Sequence, residues 1–157
     1  MKADFNFKLW CLGGGGNMVK KPKVAFVCVH NSCRSQMAEA LGKIYASEIF
    51  DSYSAGTNIK PEINQEAVDA LIKLYGVDMT RTQYPKMVSK LPEDIDVVIK
   101  MGCDIACPYL LAKHEEDWGI DDPTGKSEVA FIHTAKTIEG KVRDLARRIS
   151  NKTINLF

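Results

Sequence analysis

The chain lacks the features that mark several large classes of protein. No apolar run approaches the ~20 residues that a membrane-spanning helix needs, so no membrane span is expected. No cluster of Lys and Arg is long enough to follow a phosphate backbone. With a formal net charge of +1 there is also no electrostatic case for nucleic acid. No internal repeat is present, and the single low-complexity stretch is a run of glycines at 13–16. Cysteine is scarce and odd in number, five in 157 residues. A secreted disulfide scaffold is shorter and richer in cysteine. Reduced thiols in the cytosol are therefore expected, serving catalysis or metal binding before stapling.

What is present suits one soluble domain. Apolar residues make up 45% and charged residues 26%, with both signs interspersed. The first seventeen residues, "MKADFNFKLWCLGGGGN", read apart from the rest. Their glycines behave as a flexible linker, and no signal-peptide pattern is present. Residues 1–17 are read as a flexible extension (a tag, cloning remnant or upstream mis-start), with no role for Trp10 or Cys11. Residues 18–157 are read as the catalytic domain.

From Lys23 strands alternate with helices. "KVAFVCV" is a short apolar, valine-rich run of the kind buried on both faces of a sheet. Met37, Leu41, Ile44 and Tyr45 repeat at helical spacing from Ser35 to about Phe50. "SYSAG" reads as a second strand, ending at Gly56. Pro61 and Asn64 introduce a helix with Ala67, Val68, Leu71 and Leu74 on one face, closed by Gly76. "DVVIKM" reads as a third strand and "DWGI" as a fourth. Phe131, Ala135, Ile138, Val142, Leu145 and Ile149 form one apolar stripe on a last helix. Alternation of this kind predicts an α/β domain, a four-stranded parallel sheet between helical layers. Ligands in such folds bind beyond the carboxyl ends of the strands, where Cys28, Cys103 and Asp122 would gather.

The stretch "CVHNSCRS" carries the chemistry. Read as a strand-to-helix loop, its N–H groups and those of the helix starting near Ser35 make a cradle for a tetrahedral oxyanion. Val29, His30, Asn31, Ser32, Cys33, Arg34 and Ser35 are the candidate binding residues. Arg34 adds a planar fork able to hold two oxygens. The same positive field favours a thiolate at Cys28, and Ser35 can donate a hydrogen bond to it. Cys33 is expected to pack beneath the loop, with His30 shaping it and His133 on the surface.

"CVHNSCRS" resembles the C-x5-R signature of the low-molecular-weight protein tyrosine phosphatase family, and "NSCRSQMAEA" its arsenate reductase branch. The similarity continues through "SAGT", "MGCDIACP" and "DWGIDDPTGKS", from about Lys23 to Ile149. The resemblance implies a three-layer α/β/α fold, Cys28 as nucleophile, Arg34 as anion ligand and Asp122 as acid/base residue, ahead of Asp121. The bland reading of "DDP" is a turn. Asn31, Glu39 and Ser54 match positions that support a potassium site in some members. The carboxylate expected near Tyr84 and Pro85 is absent, so no metal or other cofactor is assigned.

Phosphatases of this fold carry aromatic residues after the Asp-Pro; here Thr124, Gly125 and Lys126 make an open polar rim suited to a small inorganic anion. Cys103 and Cys107 supply the thiols that a two-electron reduction of arsenate needs. In a helical turn they would lie within disulfide reach. The spacing before Cys107 is shorter than in thioredoxin-coupled relatives. The expected partners are therefore arsenate or phosphate and, as reductant, thioredoxin or a low-molecular-weight thiol. A monomer is expected. A partial zinc site with His114 lacks its second ligand pair, and buried inert cysteines are the bland alternative. The runners-up are a tyrosine or small-molecule phosphatase and a non-enzymatic oxyanion or thiol sensor. "GIDDPTGKS" only imitates a nucleotide-binding loop, since its glycines stand one residue too far apart.

Overall fold

The structure, a computed structural model, describes residues 20–102 and 112–156. The N-terminal extension, Cys103 and Cys107 lie outside the described residues. Strands β1 (Lys23–Cys28), β2 (Asp51–Gly56), β3 (Val97–Lys100) and β4 (His114–Asp117) form one sheet in the order β2-β1-β3-β4. All three pairings are parallel, with Cys28 opposite Gly56 and Val27 opposite Lys100. Helices α1 (Arg34–Tyr45), α2 (Gln65–Tyr75) and α3 (Glu128–Ser150) complete the domain. Among the described residues no helix is long and apolar enough to cross a membrane.

Alternation along β1 divides the core. Val24, Phe26 and Cys28 face the larger cluster, shared with Met37 and Leu41 of α1, Leu71 of α2, and Phe131, Ile138 and Leu145 of α3. Ala25 and Val27 face a smaller cluster with Ala55, Val98, Leu91 and Ile95, so segment 88–95 covers the second face. A sheet buried on both faces produces the near-continuous apolar run of β1.

The caps of α2 lie where Asn64 and Gly76 predict. Asn64 Oδ1 accepts from the N–H groups of Glu66 and Ala67 at 2.8 and 3.2 Å, and Gly76 takes the left-handed conformation at φ 67°. Two elements depart from the sequence reading. Helix α1 ends at Tyr45, short of Phe50. Ile49 and Phe50 sit in a turn whose N–H groups both reach Ala46 O, and Ile44 is exposed. The fourth strand is "HEED", not "DWGI". As a sheet edge it buries neither face fully, so charged residues suffice, alternating half-buried and exposed. The apolar Trp118 and Ile120 lie just beyond it, where Gly119 at φ 57° turns the chain out of extended geometry.

Candidate active site

β1 ends at Cys28, and six residues later α1 begins, with no side chain capping its N-terminus. The loop between them is fastened from outside. Val29 O accepts the N–H of Asn58 at 2.8 Å, His30 O that of Lys60 at 3.1 Å, and Ser32 O that of Asn64 at 2.7 Å. Asn31 O accepts Gln36 Nε2 at 3.0 Å. In a trans peptide the N–H lies opposite the C=O. Carbonyls drawn outward therefore leave the N–H groups of His30 to Cys33 toward the loop interior, the arrangement that binds an anion. Asn31 supports the turn with φ 48°, a left-handed conformation that asparagine tolerates. Gly56 on β2 lets the loop pass close by, because a Cβ there would stand 2.7 Å from Val29 O and 3.0 Å from Asn31 N.

Cys28 Sγ lies 2.8 Å from Ser35 Oγ. Asn31 Nδ2 donates to that same oxygen at 2.9 Å, and the hydroxyl keeps its own proton, which it can donate to an ionised sulfur. Arg34 Nη1 donates to Met101 O at 2.8 Å and to Ile120 O at 2.7 Å. These carbonyls, beyond β3 and β4, hold the guanidinium at the carboxyl edge of the sheet. Gly102, at φ 93°, lets the two segments meet, since a Cβ there would stand 2.8 Å from Ile120 N.

Asp122 Oδ2 stands 3.9 Å from Arg34 Nη2. Its Oδ1 accepts from the Thr124 N–H at 3.0 Å and the Thr124 hydroxyl at 2.7 Å. Burial pushes this carboxyl up, but the two Thr124 hydrogen bonds, with Arg34 and Lys60 nearby, outweigh it and hold the group below its ordinary range. It is a turn residue and a carboxylate held toward its ionised form at once, and an anion bound opposite it would raise its affinity for a proton. Asp121 is exposed.

The remaining expectations fall in place unevenly. Val29 and His30 line the loop half-buried, while Asn31, Ser32, Cys33 and Ser35 are buried and shape it from within. His30 Nδ1 is 2.9 Å from Asn58 O, a loop-shaping contact. Cys33 packs in the larger core, where burial above all pushes its thiol far up and out of use. His133 is exposed, and His114 joins Glu116 at 2.8 Å on the sheet edge. Glu39 and Ser54 do meet, at 2.9 Å, and the cations beside them are the ammonium groups of Lys43 and Lys86. Sequence reasoning passed over Gln36, Gln83 and Lys86. All three brace Asn31 or its neighbours, and a lone polar residue in a helix or connecting segment carries no periodic signal of that role.

The Cys28 thiol beside the loop, the arginine tied across the sheet edge and the Asp122 carboxylate near it are thus gathered at one edge of an α/β sheet. A sequence model of the low molecular weight phosphotyrosine protein phosphatase family matches residues 23–155, and the chain belongs to that family. Arsenate reductase 1 of Staphylococcus epidermidis is 33% identical over 134 residues, 83% of this chain and 100% of its own. A solved arsenate reductase in a phosphate-binding state superposes with a TM-score of 0.74 at 30% identity, covering 82% of this chain and 98% of its own. A thioredoxin-dependent arsenate reductase of Corynebacterium glutamicum gives 0.69 at 30% identity, covering 96% of this chain and 72% of its own.

Proposed function

We propose that the protein is a cytosolic, monomeric arsenate reductase. Arsenate sits in the loop 28–34 against the inward N–H groups and Arg34. The Cys28 thiolate attacks arsenic, and the departing oxygen leaves as water with a proton from Asp122, which the bound anion has allowed to protonate. A second thiolate, Cys103 in this reading, attacks the Cys28 sulfur. The S–As bond breaks, its electron pair stays on arsenic, and arsenite leaves behind a Cys28–Cys103 disulfide. Cys107 attacks Cys103 and frees Cys28. The resulting disulfide is reduced by thioredoxin or a low-molecular-weight thiol.

The observation that carries this reading is the 2.8 Å contact between Cys28 Sγ and Ser35 Oγ beside a loop whose carbonyls are tied outward. Exposed Thr124, Gly125 and Lys126 at the rim, with no aromatic residue among them, favour a small inorganic anion over a phosphotyrosine ring. The test is NADPH consumption with arsenate, thioredoxin and thioredoxin reductase. Wild type is expected to turn over and Cys28→Ser to be inactive. Cys103→Ser and Cys107→Ala should lose turnover yet still hydrolyse an aryl phosphate. Rapid aryl phosphate hydrolysis without arsenate-dependent NADPH consumption would mean a phosphatase. Anion binding with neither reaction would mean a regulator.

A further inference from the structure

Glu39 is a carboxylate in the wrong place for its chemistry. It sits on α1 with 4% of its side chain exposed, away from any step of the reaction above. Burying a charge is costly unless it is paired and hydrogen-bonded. Glu39 Oε1 accepts from Ser54 Oγ at 2.9 Å and from Lys86 Nζ at 3.4 Å, and Oε2 accepts from Lys43 Nζ at 2.7 Å. Lys43 is its neighbour one helical turn on. Lys86 comes from a connecting segment far along the chain, and its side chain is 14% exposed.

Lys86 also touches the loop and its glycine neighbour. Its backbone N–H donates to Asn31 Oδ1 at 2.9 Å, and its carbonyl accepts the N–H of Gly56 at the same distance. Its ammonium further reaches Tyr84 O at 3.3 Å and lies 5.1 Å from the centre of the Tyr84 ring. The side chain anchors on Glu39, and the main chain holds Asn31.

The hold on Asn31 sets a direction. Asn31 Oδ1 accepts two donors, Lys86 N–H and Gln36 Nε2 at 3.0 Å, so its amide can face only one way. Nδ2 must then donate to Ser35 Oγ, which leaves the Ser35 proton to be donated to an ionised Cys28 Sγ. Were the amide reversed, Nδ2 would confront two donors, and Oδ1 would draw the Ser35 proton away from the sulfur. The polarity of the last bond is thus decided two residues earlier.

We propose that Lys86 and Glu39 form a positioning lock, which fixes the orientation of the Asn31 amide and through it the hydrogen bond that Ser35 donates to the Cys28 thiolate. The proposal rests on Cys28 being the nucleophile. Lys86→Met keeps the stem and removes the ammonium, Lys86→Arg keeps a cation, and Glu39→Gln removes the anchor's charge. Alkylation of Cys28 by iodoacetamide, followed at the Cys28 peptide by mass spectrometry, reads the state of the sulfur. At pH 7 Lys86→Met and Glu39→Gln should react about fivefold slower than wild type, the scale of one hydrogen bond lost. At pH 10, above the ordinary thiol range of about 8.5, they should match it. Lys86→Arg should stay near wild type, and kcat for arsenate should fall in Lys86→Met with little change in KM.

Wild-type rates at pH 7 in folded Lys86→Met would overturn the lock, as would an equal loss at both pH values, which is general loosening. If Lys86→Met does not fold, Glu39→Gln with the same two-pH comparison decides alone. A wild-type Cys28 no more reactive at pH 7 than free cysteine would instead refute the proposed function, and the lock with it.

Discussion

Glu116→Gln tests whether the sheet edge holds the site in place. Glu116 lies on β4 and binds Arg148 of α3 through both oxygens, Oε1 with Nη1 and Oε2 with Nη2 at 3.0 Å. His114 Nε2 reaches Oε1 at 2.8 Å, and Trp118 Nε1 donates to Oε2 at 3.0 Å. An amide cannot replace this, because its NH2 group would confront Arg148 or Trp118, both donors. The Arg148 hydrogen bond above all, opposed by burial and helped by His114 and Trp118, lowers the Glu116 carboxyl from 4.5 to about 2. That difference corresponds to a ceiling of about 3.4 kcal/mol at 1.36 kcal/mol per pH unit. A fifth of each partner's side chain stays exposed, and screening by water leaves about 1–2 kcal/mol.

The sign follows from the depressed value. Stability from this pair is fully present above pH 4.5 and is lost as pH falls toward 2. Thermal melting followed by circular dichroism should place Glu116→Gln about 3–8 °C below wild type at pH 7. The gap should close as the pH approaches 2.5. A gap as large at pH 2.5 as at pH 7 would refute the electrostatic argument, and no gap at either would refute the clamp. Turnover should fall as well, since Trp118 leads into Ile120, whose carbonyl holds Arg34.

Three further outcomes follow from the loop. Gly56→Ala should lower stability by about 1–3 kcal/mol, because the new Cβ meets backbone on two sides and neither can give. Phosphate affinity by calorimetry should drop with it, and an unchanged affinity would show the loop free of β2. Ser35→Ala removes the donor to Cys28 and strands the buried Asn31 Nδ2, so stability should fall by about 1–2 kcal/mol, with slower Cys28 alkylation at pH 7. Asp122→Asn should act in two directions. Removing an ionised carboxylate beside Arg34 should tighten phosphate binding about two- to fivefold while slowing arsenate turnover. Weaker phosphate binding would show that the carboxylate does not face the anion.

Legibility in the sequence tracked how much each element depends on its own pattern. β1 is buried on both faces and α3 on one stripe, so both declared themselves by apolar periodicity. α2 declared itself by its caps, Asn64 and Gly76. β4 is held by pairing with β3 and by the Glu116–Arg148 clamp across 32 residues, and neither shows in "HEED". The end of α1 was misplaced because Phe50 is apolar for the turn that buries it, not for the helix before it. Within the site, residue type and spacing pointed to Cys28, Arg34, Ser35 and Asp122, which the fold brings to one edge of the sheet. The residues that orient them were silent, since Gln36, Gln83 and Lys86 act through contacts made by folding. Cys103 and Cys107 rest on the sequence alone.

Cys28 and Cys33 show why composition could not have separated the proposed nucleophile from its neighbour. They stand on one loop and are 5% and 4% exposed, so burial does not distinguish them. A hydrogen-bond partner does. Cys28 ends a strand, and its sulfur meets a hydroxyl whose proton is free to point at it. Cys33 stands at the entrance of α1, and like Cys28 it borders the larger core. There burial above all, with the carboxylate of Asp122 nearby, pushes the Cys33 thiol up, and Arg34 does not offset them. What sets the two thiols apart is therefore the Ser35 hydroxyl 2.8 Å from the Cys28 sulfur, held there by Asn31.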